Sequence, residues 1–206
     1  MKYKAVLFDL LTGLLDSWSV WNRVAGDEAA GRRWRAAYLE LTYGCGAYRP
    51  YEALVAEAAR QTGLPEALAA ALEDEWKTIK PWHDTRAVLR TLKKDHELGI
   101  VTNCSERLGR AAASRLDVAF DVIVTSERAG FYKPDPAPYR LALSELNLHP
   151  TEVLFVAGSG FDLIGAARVG LDTYWHNRIG LQRPAGAPAP LRESRSLDDL
   201  VMMVTI

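Results

Sequence analysis

The sequence predicts an α/β fold, a doubly wound parallel sheet that carries an inserted helical domain. Three observations lead there. Short apolar runs recur at 5–8, 98–101, 122–124, 153–156 and 173–175. Each of the later runs is separated from the next by a stretch with helical spacing, and strands alternating with helices imply a parallel sheet. Between the first run and the second, from Trp18 to about Trp76, the spacing is helical throughout.

Composition narrows the function classes. With 206 residues, 49% hydrophobic and 25% charged, the chain can bury a full core and form one domain plus a modest insertion. Lys and Arg number 25 against 26 Asp and Glu, a formal net charge of -1. So even a balance offers no broad field for nucleic acid or an anionic membrane, and a small-molecule substrate is expected. The two cysteines, Cys45 and Cys104, lack CxxC spacing, which points to reduced thiols rather than a zinc site or disulfide framework. After Met1–Lys4 only Ala5–Phe8 is apolar before Asp9 interrupts, too short for a signal peptide or a membrane span. A cytoplasmic location is expected.

Taken in order, Ala5–Phe8 reads as a buried parallel strand that places Asp9 at its carboxyl end, with Thr12-Gly13 turning the chain. The helical segment that follows is rich in Ala, Leu, Glu and Arg and breaks at Gly44-Cys45-Gly46 and Gly63-Leu64-Pro65. Lys80-Pro81-Trp82 reads as the return linker, followed by a helix from Asp84 to Lys94 and a strand from Leu98 to Val101 that ends at Thr102-Asn103. The pattern repeats as helix 106–116, strand 122–124, a loop through Lys133, helix 138–146, strand 153–156 and helix 162–169. A last strand at 173–175, a Pro-rich surface loop at 184–190 and a closing helix from Leu197 complete the chain. The predicted organisation is a Rossmann-like core of residues 1–14 and 85–206 with a helical cap at 15–84.

In sheets of this kind ligands bind outside the carboxyl ends of the strands, where Asp9, Thr102, Asn103, Ser159 and Asp162 would converge. Four pieces stand in order there: Val6-Leu-Phe-Asp9, Val101-Thr-Asn103, Lys133-Pro-Asp-Pro136 and Leu154-Phe-Val-Ala-Gly-Ser-Gly-Phe-Asp162. Together they resemble the haloacid dehalogenase superfamily over nearly the whole chain. Phosphatases of that superfamily place a second acid two residues after the nucleophile and a further acid in the fourth motif to hold magnesium. Here those positions are Leu11 and Gly158. Leucine cannot protonate a leaving alkoxide, and glycine adds no oxygen ligand to a hard cation.

At these points the chain is similar to the metal-free branch, the L-2-haloacid dehalogenases. The resemblance implies Asp9 as covalent nucleophile, Lys133 and Asp162 as further catalytic residues, and no cofactor or metal. It implies substrate or halide contacts from Arg35, Thr102, Asn103, Tyr139, Ser159 and Phe161, a short 2-haloacid or similar carboxylate as substrate, and a homodimer. Trp175-His-Asn-Arg178 is similar to a further motif of that branch. In the implied mechanism Asp9 attacks the halogen-bearing carbon, halide departs, and water hydrolyses the aspartyl ester. Two departures stand out: the usual Gly-Thr after the nucleophile reads Thr12-Gly13, and the fourth-motif serine and asparagine positions hold Ala157 and Ser159.

Other readings of the same residues stay open on sequence alone. Arg35 follows Arg23, Arg32 and Arg33 on an amphipathic helix, a pattern that a solvated face also gives. Asp162 is placed to cap a helix as well as to orient Lys133. Trp18, Trp21, Tyr38 and Tyr43 read as packing rather than substrate contacts, because aromatics at helical spacing usually bury. A phosphatase acting on a small phosphomonoester, or a binding protein that kept the fold and lost hydrolysis, are the alternatives.

Overall fold

The computed structural model describes residues 2–205. Six strands form one parallel sheet in the order β5 (Val122–Thr125), β4 (Glu97–Thr102), β1 (Ala5–Phe8), β6 (Val153–Ala157), β7 (Asp172–His176) and β8 (Arg192–Ser194). Successive residues of a strand face opposite sides, and the core divides accordingly. Val6, Phe8, Leu98, Ile100, Leu154 and Val156 join one cluster, while Ala5, Leu7, Val101, Val153 and Phe155 join the other. Both faces being covered, the central strands read as continuous apolar runs.

The helices α5 (Thr85–Leu92), α6 (Glu106–Ala113) and α10 (Asp198–Thr205) cover the first face through Leu89, Leu108 and Leu200. On the other face lie α8 (Pro136–Leu146) and α9 (Gly160–Ala167), with Tyr139, Ala142, Leu163 and Ala166 inward. From β1 the chain order runs toward β4 and β5 on one side and toward β6, β7 and β8 on the other. A reversal of this kind opens a crevice at the carboxyl ends. Register aligns Phe8 with Ile100 and Val156, so the residues that follow them emerge side by side.

Between β1 and β4 lie α1 (Ser17–Val24), α2 (Glu28–Cys45), α3 (Tyr51–Gln61) and α4 (Leu68–Asp74). A two-residue antiparallel ribbon, β2 (Leu15–Asp16) with β3 (Lys80–Pro81), closes this segment where it leaves and rejoins the sheet. α2 starts at an Asp27 cap that accepts from Ala30 N at 2.9 Å and stops at Gly46, whose φ is 67°. Its inward stripe, Trp34, Arg35, Tyr38 and Thr42, follows helical spacing. Trp21, Trp34, Tyr38, Tyr51 and Leu54 share one apolar cluster with Phe8, Ile100 and Leu108 of the sheet layer. Polar ties add to it: Trp76 Nε1 donates to Leu108 O at 2.9 Å and Tyr132 OH to Arg49 O at 2.7 Å.

Three features differ from the sequence expectation. β8 falls between the expected loop at 184–190 and the closing helix, where no element was expected, because an exposed edge strand of three polar residues shows no apolar run. The helix expected to open at Pro138 opens at Pro136, capped by Asp135, with proline tolerated in the first turn. A single turn, α7 (Ser126–Ala129), follows β5 directly and is too short for a periodic signal.

Candidate active site

Asp9 leaves β1 into a tight turn that wraps its own carboxylate. Oδ2 accepts from Thr12 N at 3.0 Å, Thr12 Oγ1 at 2.6 Å and Gly13 N at 3.0 Å. The turn needs glycine at 13, since a Cβ there would stand 2.4 Å from Asp9 O. So the Thr12-Gly13 order still delivers a hydroxyl and two amides to the Asp9 carboxylate. Gly158 closes the same nest from β6: a Cβ would meet Thr12 Oγ1 at 2.3 Å, Gly13 N at 2.4 Å and Asp9 Oδ2 at 2.5 Å. An acidic side chain has no room at that position.

The other oxygen, Asp9 Oδ1, accepts from Lys133 Nζ at 2.9 Å, and the same ammonium lies 2.8 Å from Asp162 Oδ1. All three groups are buried. The N-cap of α9 is Ser159 rather than Asp162, which stands in the first turn as its capping-box partner and accepts from Gly158 N at 3.2 Å and Ser159 N at 3.1 Å, so the capping box and the ion pair share one carboxylate. Burial pushes the Asp9 carboxyl up, but the Lys133 charge and the Thr12 hydrogen bonds outweigh it and hold Asp9 below its usual value. Asp162 moves the other way, raised by burial and by the charge of Asp9 despite Lys133. The two carboxyls are thus differentiated, one kept ionised and one made more basic.

Asn103 holds Lys133 in place rather than lying free. Its Oδ1 accepts from Lys133 N and from Ser126 Oγ, both at 2.8 Å, and its Nδ2 donates to Lys133 O at 3.1 Å. One amide hydrogen remains for the cavity it helps to line. Thr102 Oγ1, also in the cavity wall, is buried without a partner among the described residues. Ser159 Oγ accepts from Phe161 N at 3.2 Å and bonds the Tyr43 hydroxyl at 2.8 Å.

Arg35 is 2% exposed, which removes the solvated-face reading. Its guanidinium lies 4.3 Å from the Trp18 ring centroid and donates to Ser17 Oγ at 2.6 Å, while Nε has no partner. No carboxylate pairs with it among the described residues. The cavity it shares with Asp9, Thr102, Asn103, Lys133 and Ser159 is small, about 30 Å³ of space for atom centres. A ligand of a few heavy atoms is the size that fits.

Two expected contacts stand elsewhere. Tyr139 is fully buried behind Asp162, its hydroxyl 3.4 Å from Asp162 Oδ1, because α8 turns that face onto Phe155 of the sheet. Phe161 is 39% exposed and stacks on Tyr43 with centroids 4.3 Å apart, since the first turn of α9 points it outward. The Trp175–Arg178 stretch also lies off the cavity: His176 Nδ1 bonds Gly13 O at 2.7 Å and Arg178 pairs with Asp84. Conversely, Trp18, Tyr38 and Tyr43 line the cavity and only Trp21 is purely packed. For Tyr38 and Tyr43 the signal was the spacing itself, since Arg35, Tyr38, Leu39 and Tyr43 share one face of α2, whereas Trp18 enters from α1. Leu11 and Leu181 complete the apolar lining.

Comparison with known proteins agrees with this architecture. A haloacid dehalogenase-like hydrolase model matches residues 6–176. The chain is 30% identical to (S)-2-haloacid dehalogenase H-109 of Pseudomonas putida, over 96% of each sequence. The crystal structure of an L-2-haloacid dehalogenase superposes with a TM-score of 0.89 at 27% identity, covering 100% of both chains. L-2-haloacid dehalogenase from Xanthobacter autotrophicus, solved with chloropropionic acid covalently bound, has the same fold at a TM-score of 0.88 and 24% identity, covering 98% of each. This chain belongs to the haloacid dehalogenase-like hydrolases.

Proposed function

We propose that the chain hydrolyses short (S)-2-haloacids through a covalent ester on Asp9, with no catalytic metal. The observation that carries the reading is Arg35, a cation buried in the wall of the nucleophile's cavity with no carboxylate to balance it. A buried unpaired charge is costly, and such a site is completed by an anion. The charge stands in the same cavity wall as Asp9, where a departing halide would need it.

The chemistry follows from how the two oxygens of Asp9 are held. Oδ2 is committed to three donors, which leaves Oδ1 to attack the halogen-bearing carbon. Arg35 and the free amide hydrogen of Asn103 are the donors available to the leaving halide, whose charge grows in the transition state. Thr102 Oγ1, without a partner, suits the substrate carboxylate. In the second half water adds to the ester carbonyl and its proton passes to Asp162, which lies just behind the cavity wall with Oδ1 2.8 Å from Lys133 Nζ and is made more basic by burial. The Thr12 and Gly13 amides then face the negative charge that develops on Oδ2.

A phosphatase-type magnesium site does not fit these residues. Lys133 Nζ already bridges Asp9 and Asp162, Leu11 offers no oxygen, and position 158 has no space for an acid. The polar groups of the ester-hydrolysis step are present too, which argues against a binding protein that has lost its chemistry.

Further parts of the reading concern setting and assembly. The helices of 15–84 act as a cap domain, contributing Trp18, Arg35, Tyr38 and Tyr43 to the cavity. Among the described residues no helix is long and apolar enough to cross a membrane. A cytoplasmic enzyme without nucleic-acid or membrane partners accords with the even charge balance and the free thiols of Cys45 and Cys104. The active form is a homodimer.

Purified protein is expected to release halide from (S)-2-chloropropionate at a rate that EDTA leaves unchanged; an ion chromatography assay showing a metal requirement would refute the metal-free route. Arg35→Ala should lower kcat by about a hundredfold with a smaller rise in KM, as for loss of a donor to transition-state charge. An unchanged kcat would leave Arg35 as packing alone. Sedimentation at micromolar concentration should give the mass of two chains, and monomer throughout would contradict the dimer.

A further inference from the structure

Trp82, in the linker that returns the chain from the helical layer, lies outside the cavity and yet touches the nucleophile's turn. Its indole N–H donates to Thr12 O at 3.0 Å. The nitrogen of that same peptide group, Gly13 N, donates to Asp9 Oδ2 at 3.0 Å. One peptide plane is therefore gripped at both ends. Loading the carbonyl with a hydrogen bond polarises the group and makes its N–H a stronger donor.

The indole is itself firmly set. Trp82 N donates to Leu14 O at 3.1 Å, and Thr85 Oγ1 reaches the same carbonyl at 2.9 Å. The Arg178 guanidinium lies 5.2 Å from the Trp82 ring centroid and is fixed by its pair with Asp84, which is buried and also accepts from Leu197 N at 2.9 Å. A cation over the ring draws electron density from the indole, strengthening its N–H as a donor.

We propose that Trp82 is a positioning residue for ester hydrolysis, acting through the Thr12-Gly13 peptide on the charge that forms at Asp9 Oδ2. The proposal rests on the aspartyl-ester reading above. In the first half, an electron pair on Asp9 Oδ1 forms the new carbon–oxygen bond and the carbon–halogen pair leaves as halide. Charge drains from the carboxylate, so a strong donor at Oδ2 does not help that step. In the second half, water oxygen bonds to Asp9 Cγ, the carbonyl π pair moves onto Oδ2, and the water proton goes to Asp162. Collapse returns the pair, breaks the Cγ–Oδ1 bond and releases the product oxygen, which takes a proton from Lys133. The Asp162 proton then restores Lys133 across 2.8 Å, and the proton left on Asp9 departs to solvent.

A donor at Oδ2 therefore separates the two halves, whereas a merely structural role would depress both together. In Trp82→Phe, rapid-quench measurements with (S)-2-chloropropionate should show halide displacement no slower than in the wild type. Ester hydrolysis should slow by about tenfold, less than the full loss of an oxyanion donor because the amide itself remains. The halide burst should then approach one per site, with the ester visible by mass spectrometry on the Asp9 peptide. Benzothienylalanine at position 82, which keeps the ring shape and lacks the N–H, should behave as Trp82→Phe does. Equal slowing of both steps, or unchanged hydrolysis in both variants, overturns the role of Trp82 while leaving an ester seen in the wild type intact. Failure to trap any ester in the wild type overturns the ester reading and this proposal with it.

Discussion

The ammonium of Lys133, 2.9 Å from Asp9 and 2.8 Å from Asp162, is the interaction on which the rest of the site depends. Two carboxylates buried this close would not both ionise unaided, because desolvation and mutual repulsion act in the same direction. One cation between them keeps Asp9 charged and leaves Asp162 as the more basic partner. Taking the lysine away would strand charge in an apolar setting, a loss of about 3–5 kcal/mol in comparable buried pairs. Much of the surrounding structure serves to hold that ammonium still. Asn103 ties the Lys133 backbone at both its N–H and its C=O, and the Gly158 and Ser159 amides that lead into α9 fix Asp162.

The sheet and the helical layer contribute different halves of the charge pattern. The carboxyl ends of β1, β4 and β6 supply Asp9 with its nest, Asn103 and Asp162, all aligned by the parallel register. The face of α2 supplies Arg35 and the aromatic walls. Tyr38 OH donates to Asn103 O at 3.0 Å and Tyr43 bonds Ser159, so the arginine is registered against the nucleophile by hydrogen bonds as well as by the shared apolar cluster. Lys133 pairs with both carboxylates, so Arg35 is the buried charge left for an incoming anion.

How much of this was legible in the sequence follows from burial and from spacing. The central strands were readable because both faces are covered, whereas β8 at the edge has no apolar face to betray it. Asp9, Lys133 and Asp162 were readable because each belongs to a short motif just after a strand or just before or within the first turn of a helix, where the motif fixes direction as well as position. Arg35 was ambiguous among its basic neighbours, because the side of α2 that is covered depends on α1, α3 and the sheet rather than on α2 alone. The resemblance implied a substrate contact for Tyr139, and the structure sets its ring behind Asp162, because the side from which it approaches depends on how α8 packs on Phe155. Gly158 was read as a missing ligand, and the structure adds that the nest around Asp9 Oδ2 leaves no volume for any side chain there.

The central claim is that Asp9 itself becomes esterified, and the fate of one oxygen atom tests it most directly. In a single turnover with enzyme in excess over (S)-2-chloropropionate in oxygen-18 water, water attack at Asp9 Cγ puts the heavy oxygen into the Asp9 carboxylate. The account predicts a labelled Asp9 peptide and a 2-hydroxypropionate product free of label. Heavy oxygen in the product of that first turnover, with Asp9 unlabelled, would mean that water displaces the halide directly and would contradict it.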